Sequence, residues 1–172
     1  MKSRDFFQNL FSLRSWRSFS AKSTAGFRVC ASLSPMIYLL NTNVICAGTA
    51  KRPDPSVLTW MEAHAEECCL SCVSLGEIWK GIHLMPESKR KQALSRWATE
   101  IEDDFADRTI DLDTAVLKAW GKLYPTKVAK GFNMGILGSL LAATALVHDL
   151  TVATRNTSDF PSEVKTLNPW EV

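Results

Sequence analysis

The most constraining feature of this chain is residues 37–45, where an apolar run meets a short polar turn and then becomes apolar again. The apolar residues from Ile37 to Leu40 lead directly into Asn41. Such a run is typical of a buried parallel strand, which helices cover on both faces. Ligands of open α/β sheets bind at the carboxyl ends of the strands. The sequence therefore predicts an α/β fold with a functional site that begins at Asn41.

The chain from Met36 onward alternates between strand-like and helix-like patterns. Predicted strands cover residues 37–40, 68–73, 108–112, 151–154 and 164–167. Predicted helices cover residues 55–64, 74–84, 88–105 and 136–148, and a further helix is capped by Asp113. Asp54 is a possible cap for the first of these helices, with Pro55 at its first position. Strands separated by helices imply βαβ units and a mostly parallel sheet, and 172 residues suit one domain.

The first 35 residues differ in composition from the rest of the chain. They hold six of the 20 basic residues and one of the 18 acidic residues, which leaves 14 bases and 17 acids in residues 36–172. The body therefore has no electrostatic case for a large nucleic-acid footprint. The leader resembles an organellar transit peptide, although we favour a translation start at Met36. In either case residues 1–35 are predicted to be disordered or loosely attached.

The cysteines do not suggest a disulfide framework. There are five of them, Cys30, Cys46, Cys68, Cys69 and Cys72, an odd number concentrated in an apolar run. We therefore expect buried thiols in a reduced, cytoplasmic protein. Cys69 and Cys72 have C-x-x-C spacing, but no second pair completes a zinc site, and a redox pair usually opens a helix. A redox protein remains an alternative. No apolar run reaches the roughly 18 residues of a membrane span.

Four positions fall near predicted strand ends or helix starts: Asn41, Glu77, Gly138 and the segment 156–159. Each has a purely structural interpretation. Asn41 could hydrogen-bond within its own turn, and Asp159 could form an Asx turn. Ser74 and Glu77 have the spacing of a capping box. Gly138 costs roughly 1 kcal/mol relative to alanine in a helix, so close packing or a lost side chain should explain it.

Together these segments resemble the motifs of PIN-domain ribonucleases. Residues 39–45, Leu-Leu-Asn-Thr-Asn-Val-Ile, are similar to the family's opening Leu-Asp-Thr-Asn-Val-Ile. The later motifs follow in order at residues 75–82, 136–145 and 151–160. The ending Asn-Pro-Trp at residues 168–170 is similar to that of the toxin subgroup of VapBC toxin–antitoxin systems. The resemblance covers residues 36–172 without a large gap.

The resemblance implies a three-layer α/β/α sandwich and a Mg²⁺- or Mn²⁺-dependent endoribonuclease toxin of a type II system. In this family, acids at the sheet edge hold the ion, which activates water and stabilises phosphate charge. Glu77 matches the second acid, Asp159 or Asn156 matches the fourth, and Asn41 stands at the first. The supporting polar residues are Thr42, Ser74 and Thr154. The implied partners are RNA, a small antitoxin protein and a second copy of the chain.

Two departures from the family pattern bear on activity. Asn41 replaces the first aspartate, and Gly138 replaces the third. A charge pair at 4 Å in an effective dielectric of 20 is worth about 4 kcal/mol before desolvation. Losing two carboxylates could therefore forfeit about 3 kcal/mol, or roughly a hundredfold in metal affinity. We predict an impaired nuclease with a weakly bound ion; the alternative is a non-catalytic PIN homologue that binds an antitoxin-like partner.

Overall fold

A computed structural model describes residues 35–50, 52–129 and 135–172 of this chain, so all but the last residue of the predicted leader lies outside the described residues. The strands are β1 (Tyr38–Leu40), β2 (Cys68–Ser71), β3 (Thr109–Ile110), β4 (Thr151–Ala153) and β5 (Thr166–Leu167). The α-helices are α1 (Thr42–Ile45), α2 (Pro55–Ala63), α3 (Cys72–His83), α4 (Lys89–Asp104), α5 (Thr114–Ala129) and α6 (Ile136–Val147). Short 3-10 turns cover Cys46–Thr49, Ala65–Glu67 and Thr157–Asp159.

The five strands form one sheet in the order β3-β2-β1-β4-β5. Every pairing is parallel, which confirms the predicted sheet. Tyr38 pairs with Cys68 on one side of β1, and Leu40 pairs with Ala153 on the other. Strand order therefore reverses between β1 and β4. Crevices at such switch points, beyond the carboxyl ends of the strands, are where α/β sheets bind their ligands.

Alternate strand residues pack into two separate cores, because successive side chains of a strand point to opposite faces. One face of the sheet presents Leu40, Cys68, Leu70 and Ala153 to the core residues Val57, Trp60, Ile78, Ile82, Trp97 and Ile101 of α2, α3 and α4. The other face presents Leu39, Cys69 and Val152 to Leu141, Ala142 and Ala145 of α6. Helices thus cover both faces, and the three-layer α/β/α sandwich is confirmed.

The boundary between β2 and α3 differs from the prediction. Strand β2 ends at Ser71, whose Oγ accepts a hydrogen bond from the Val73 amide at 3.2 Å. This bond caps α3, which begins at Cys72. The predicted strand 68–73 is therefore two residues too long, and the predicted helix 74–84 begins two residues too late. The observed β3 and β5 strands are also shorter than residues 108–112 and 164–167.

Helix α6, which the sequence predicted over residues 136–148, is buried through its middle and exposed at both ends. Leu141 to Ala145 are buried, whereas Ile136 is 57% exposed and Leu146 and Val147 are also exposed. No helix among the described residues is both long enough and apolar enough to cross a membrane.

Asp113 caps helix α5, as predicted, since its Oδ1 accepts a hydrogen bond from the Val116 amide at 2.8 Å. We expect Asp113→Ala to lower the free energy of unfolding by about 1 kcal/mol, because that amide loses its partner. Urea unfolding followed by circular dichroism measures this change. Asp111→Ala, two residues earlier and also exposed, is the matched control. Equal losses in both variants would contradict a capping role.

Candidate functional site

The carboxyl ends of β1 and β4 bring Asn41 and Thr154 together. The Asn41 amide N–H donates to the Ala153 carbonyl at 3.0 Å and so continues the ladder. The side chain of Asn41 donates from Nδ2 to Thr154 Oγ1 at 3.0 Å, across 113 positions of sequence. Thr154 is fully buried. Within its own turn Asn41 therefore bonds through its backbone carbonyl and not through its side chain. Asn41 lies at the switch point, as the sequence predicted.

Thr154 Oγ1 accepts two further hydrogen bonds. Asn43 Nδ2 donates to it at 3.1 Å, and the backbone N–H of Asn156 donates at 3.2 Å. Asn43 Oδ1 in turn accepts from the Arg155 backbone N–H at 3.3 Å. Sequence reasoning did not single out Asn43, although its place two residues after Asn41 was a usable signal. Thr154 therefore gathers three nitrogen donors onto one buried hydroxyl.

Glu77, on helix α3, faces the carboxyl edge of the sheet, which is where β1 and β4 end just before Asn41 and Thr154. Its Oε2 accepts a hydrogen bond from Thr42 Oγ1 at 2.7 Å, so the turn after β1 holds this carboxylate in place. The predicted capping box is wrong, because Ser71 is the N-cap and Ser74 lies inside the helix. Ser74 Oγ instead donates to the Leu40 carbonyl at 3.1 Å. Ser74 thus ties α3 to the end of β1.

A neutral thiol lies close to this carboxylate. Burial, and to a smaller extent the negative charge of Glu77, raise the pKa of Cys46 to about 11. The thiolate is the form that attacks electrophiles and binds metals. Cys46 is consequently a protonated neighbour of Glu77 near neutral pH and adds no ligand to the edge.

The other two sequence-predicted positions are less closely joined to this group. Gly138 is half-buried in the first turn of α6, a helix that contacts α3. Asp159 is exposed at the end of a 3-10 turn, where its backbone N–H donates to the Asn156 carbonyl at 3.2 Å. The Asp159 carboxylate makes no hydrogen bond to another described residue, so the predicted Asx turn is wrong.

The donor set does not fit a firm divalent cation site. Of the described residues at the predicted site positions, Glu77 and Asp159 are the carboxylates, and Asn41 contributes a neutral amide. No three His, Cys, Asp or Glu side chains among the described residues are grouped so as to hold a metal. Mg²⁺ and Mn²⁺ require several oxygen ligands, usually including carboxylates. The ion that the sequence resemblance implied therefore lacks a complete set of protein ligands here.

A cation borders the same edge. The Arg155 guanidinium lies over the Trp170 ring, 5.4 Å from its centroid, and Arg155 is exposed. Sequence reasoning singled out neither contact, although Trp170 belongs to the terminal motif. A separate groove of about 460 Å³ runs along α2 beside Trp60, His64 and Val172, and no residue of the edge lines it.

The C-x-x-C pair lacks the character of a redox site. Burial raises the pKa of Cys69 in β2 to about 12, whereas Cys72 opens α3. The described cysteines are all free thiols. We expect iodoacetamide near pH 8 to label Cys69 roughly a thousandfold more slowly in native protein than in urea, since each pKa unit lowers the thiolate fraction tenfold. Mass spectrometry of the labelled peptides measures this, and a reversible Cys69–Cys72 disulfide would contradict it.

The sequence is similar to several bacterial proteins. A family model described as PIN domain matches residues 38–162. Plasmid stability protein StbB of Pseudomonas syringae pv. tomato is 35% identical over 136 residues, which are 77% of this chain and 98% of that protein. VapC ribonuclease Y4jK of Sinorhizobium fredii is 32% identical over 77% of this chain and 97% of its own. Toxin FitB of Neisseria gonorrhoeae is 33% identical with the same coverage.

The fold is similar to solved structures as well. The crystal structure of FitAcB from Neisseria gonorrhoeae superposes with a TM-score of 0.73 at 31% sequence identity. The match covers 79% of this chain and 100% of that chain. The similarity thus extends over the whole length of that neighbour.

Proposed function

Because this chain belongs to the PIN-domain family, we propose that it is an RNA-directed toxin of a type II toxin–antitoxin system whose ribonuclease site is impaired. Relatives that match nearly end to end are named a ribonuclease and a toxin, which supports the RNA and toxin parts of the proposal. One observation carries the impairment: Asn41 lies at the switch point of the sheet and is bound there through its amide nitrogen.

Each residue of the edge has a role in this proposal. Glu77 and Asp159 are the remaining carboxylates, and with the amide oxygen of Asn41 they bind Mg²⁺ or Mn²⁺ only weakly. Thr42 holds Glu77 in position through its 2.7 Å hydrogen bond. Thr154 orients Asn41 through one hydrogen bond and accepts another from the backbone N–H of Asn156. Gly138 contributes no side chain.

The proposed partners are a small antitoxin protein and a second copy of this chain. The similarity to the FitAcB structure supports this assignment. Exposed apolar side chains on the helices, such as Leu117 and Ile136, provide area for protein contacts. The free thiols of the described residues suit a reducing compartment, so we place the protein in the cytoplasm.

A second candidate function is a non-catalytic homologue that retains only partner binding. Gly138 favours it, because a glycine removes a ligand outright where an asparagine keeps one oxygen. The impaired nuclease should cleave RNA slowly and lose that activity in the Glu77→Gln variant, whereas the non-catalytic homologue should show no cleavage that depends on Glu77.

The test compares the full chain with its Asn41→Asp/Gly138→Asp variant on single-stranded RNA with Mg²⁺. Faster cleavage by the variant supports a PIN nuclease site that has lost two of its acids. A folded variant that is no faster than the unchanged chain would overturn the assignment of this edge as a former nuclease site.

A further inference from the structure

Arg155, which is exposed just after β4 at the carboxyl edge of the sheet, carries a guanidinium without a fixed anionic partner. Arg155 stacks on Trp170, and no carboxylate among the described residues forms an ion pair with it. Asp54 is the acid whose pKa Arg155 lowers, but hydrogen bonds from the Ser56 side chain and backbone are the larger causes of that shift. Its carboxylate is held by Ser56 Oγ at 2.7 Å. The guanidinium is therefore free to bind an external anion.

Two asparagine side chains lie near the Arg155 backbone: Asn41, which replaces an acid of the family pattern, and Asn43, which matches that pattern. Asn41 and Asn43 each donate one amide hydrogen to Thr154, which leaves a second N–H on each side chain for another acceptor. The Arg155 backbone is tied to Asn43 at 3.3 Å, so the cation and the amides share one segment of the rim. Together they form a donor-rich surface beside the switch point.

The charge balance of this edge differs from that of an intact acidic site. Glu77, Asp159 and Arg155 leave one net negative charge, whereas aspartates at positions 41 and 138 would make it three. Glu77 is also engaged by Thr42. An edge with three negative charges repels a phosphate unless a cation screens it. With one net negative charge that repulsion is weaker, and the exposed guanidinium of Arg155 attracts a phosphate locally.

We propose that this edge binds the phosphodiester backbone of single-stranded RNA directly, without a divalent ion, with Arg155 as the principal contact. A guanidinium offers a planar fork of donors that matches two phosphate oxygens, and stacking on Trp170 pre-orients that fork. The choice of RNA rests on the proposed function, whereas the anion site rests on the geometry alone. An acidic peptide is the competing anionic ligand, since a carboxylate also matches the guanidinium fork, and the test below separates the two.

Fluorescence anisotropy of a short labelled oligouridylate, titrated with the full chain in EDTA, tests the proposal. We expect binding that survives EDTA and weakens with salt. Arg155→Ala should lower the affinity about tenfold and make the slope of log affinity against log salt shallower by about 0.7, the value of one single-strand phosphate contact. Arg155→Lys should lose less affinity, because it keeps the charge but not the fork. Asn41→Asp should weaken binding in EDTA, because it adds a negative charge.

Arg96→Ala is the matched control, since Arg96 is an exposed arginine on helix α4. The basic segment 1–35 is present in every variant, so nonspecific binding by it cancels in the comparison. Equal affinity of the Arg155→Ala and Arg96→Ala proteins would overturn the proposal. If the unchanged chain does not bind the RNA in EDTA, the proposal is also overturned. The proposed function would still stand in that case if the Asn41→Asp/Gly138→Asp variant cleaves RNA. If oligoglutamate displaces the labelled RNA as well as unlabelled oligouridylate does, the edge is assigned to an acidic peptide and the proposal is likewise overturned.

Discussion

The Asn41→Asp/Gly138→Asp variant is expected to cleave single-stranded RNA with Mg²⁺ at least about a hundredfold faster than the unchanged chain. Two restored carboxylates would strengthen the free energy of Mg²⁺ binding by about 3 kcal/mol, because the predicted site positions now supply only the carboxylates of Glu77 and Asp159. The measurement is the initial rate of cleavage of a labelled RNA over a range of Mg²⁺ concentrations. The rate should depend more steeply on Mg²⁺ in the variant.

The structure gives a reason to expect that position 41 accepts an aspartate. Thr154 Oγ1 receives three N–H donors, although a hydroxyl oxygen has only two lone pairs and a proton of its own to donate. A carboxylate at position 41 would replace one donor with an acceptor for that proton. The side chains of Asn and Asp have nearly the same shape, so Asn41→Asp should leave the local packing intact.

Position 138 also suits an acid. Gly138 lies in the first turn of helix α6, where a negative side chain interacts favourably with the positive end of the helix dipole. Replacing a helical glycine with aspartate also recovers about 0.3 kcal/mol of helix propensity. Thermal unfolding should therefore show a double variant that is as stable as the unchanged chain.

Two controls make this result interpretable. Adding Glu77→Gln to the double variant should abolish the gained activity, because the second carboxylate is then missing. Gly121→Asp in place of Gly138→Asp adds the same charge at an exposed helical glycine with open space around it. If the Gly121 version cleaves RNA as fast as the Gly138 version, a general charge effect is responsible and the positional argument fails.

Phe105→Ala should lower the free energy of unfolding by about 4 kcal/mol, a large effect for a single substitution. Phe105 is 1% exposed, and the Arg108 guanidinium lies 4.6 Å from its ring centroid. Arg108 in turn donates to the carbonyls of Ala65, Cys68 and Asp104 at 2.6, 3.2 and 3.2 Å. The ring thus fills a core and supports a side chain that joins the ends of β2 and α4.

Urea denaturation followed by far-ultraviolet circular dichroism measures the Phe105→Ala effect. The matched control is Leu117→Ala, because Leu117 is 46% exposed on α5 and its truncation should cost at most about 0.5 kcal/mol. A loss below about 1 kcal/mol for Phe105→Ala would contradict the core role. A lower denaturant slope would instead indicate a change in the compactness of the unfolded or native state.

Local sequence patterns predicted most of the fold, because the interactions that start and end helices join residues only a few positions apart. Asp54 accepts from the Ser56 amide at 3.1 Å and Asp113 from the Val116 amide, as the sequence indicated. The apolar runs identified the buried strands for a similar reason, since a strand covered on both faces needs apolar residues throughout. Whether residues 1–35 form a separate leader is still a prediction.

The partners of the edge residues were decided by tertiary structure alone. Ser74 and Glu77 had the spacing of a capping box, but the arrival of β1 and its turn gave each a different partner. The bond between Asn41 and Thr154 exists because parallel pairing puts Leu40 opposite Ala153. A sequence determines which residues can hydrogen-bond, whereas sheet register determines which of them meet, and register depends on the packing of all strands and helices together.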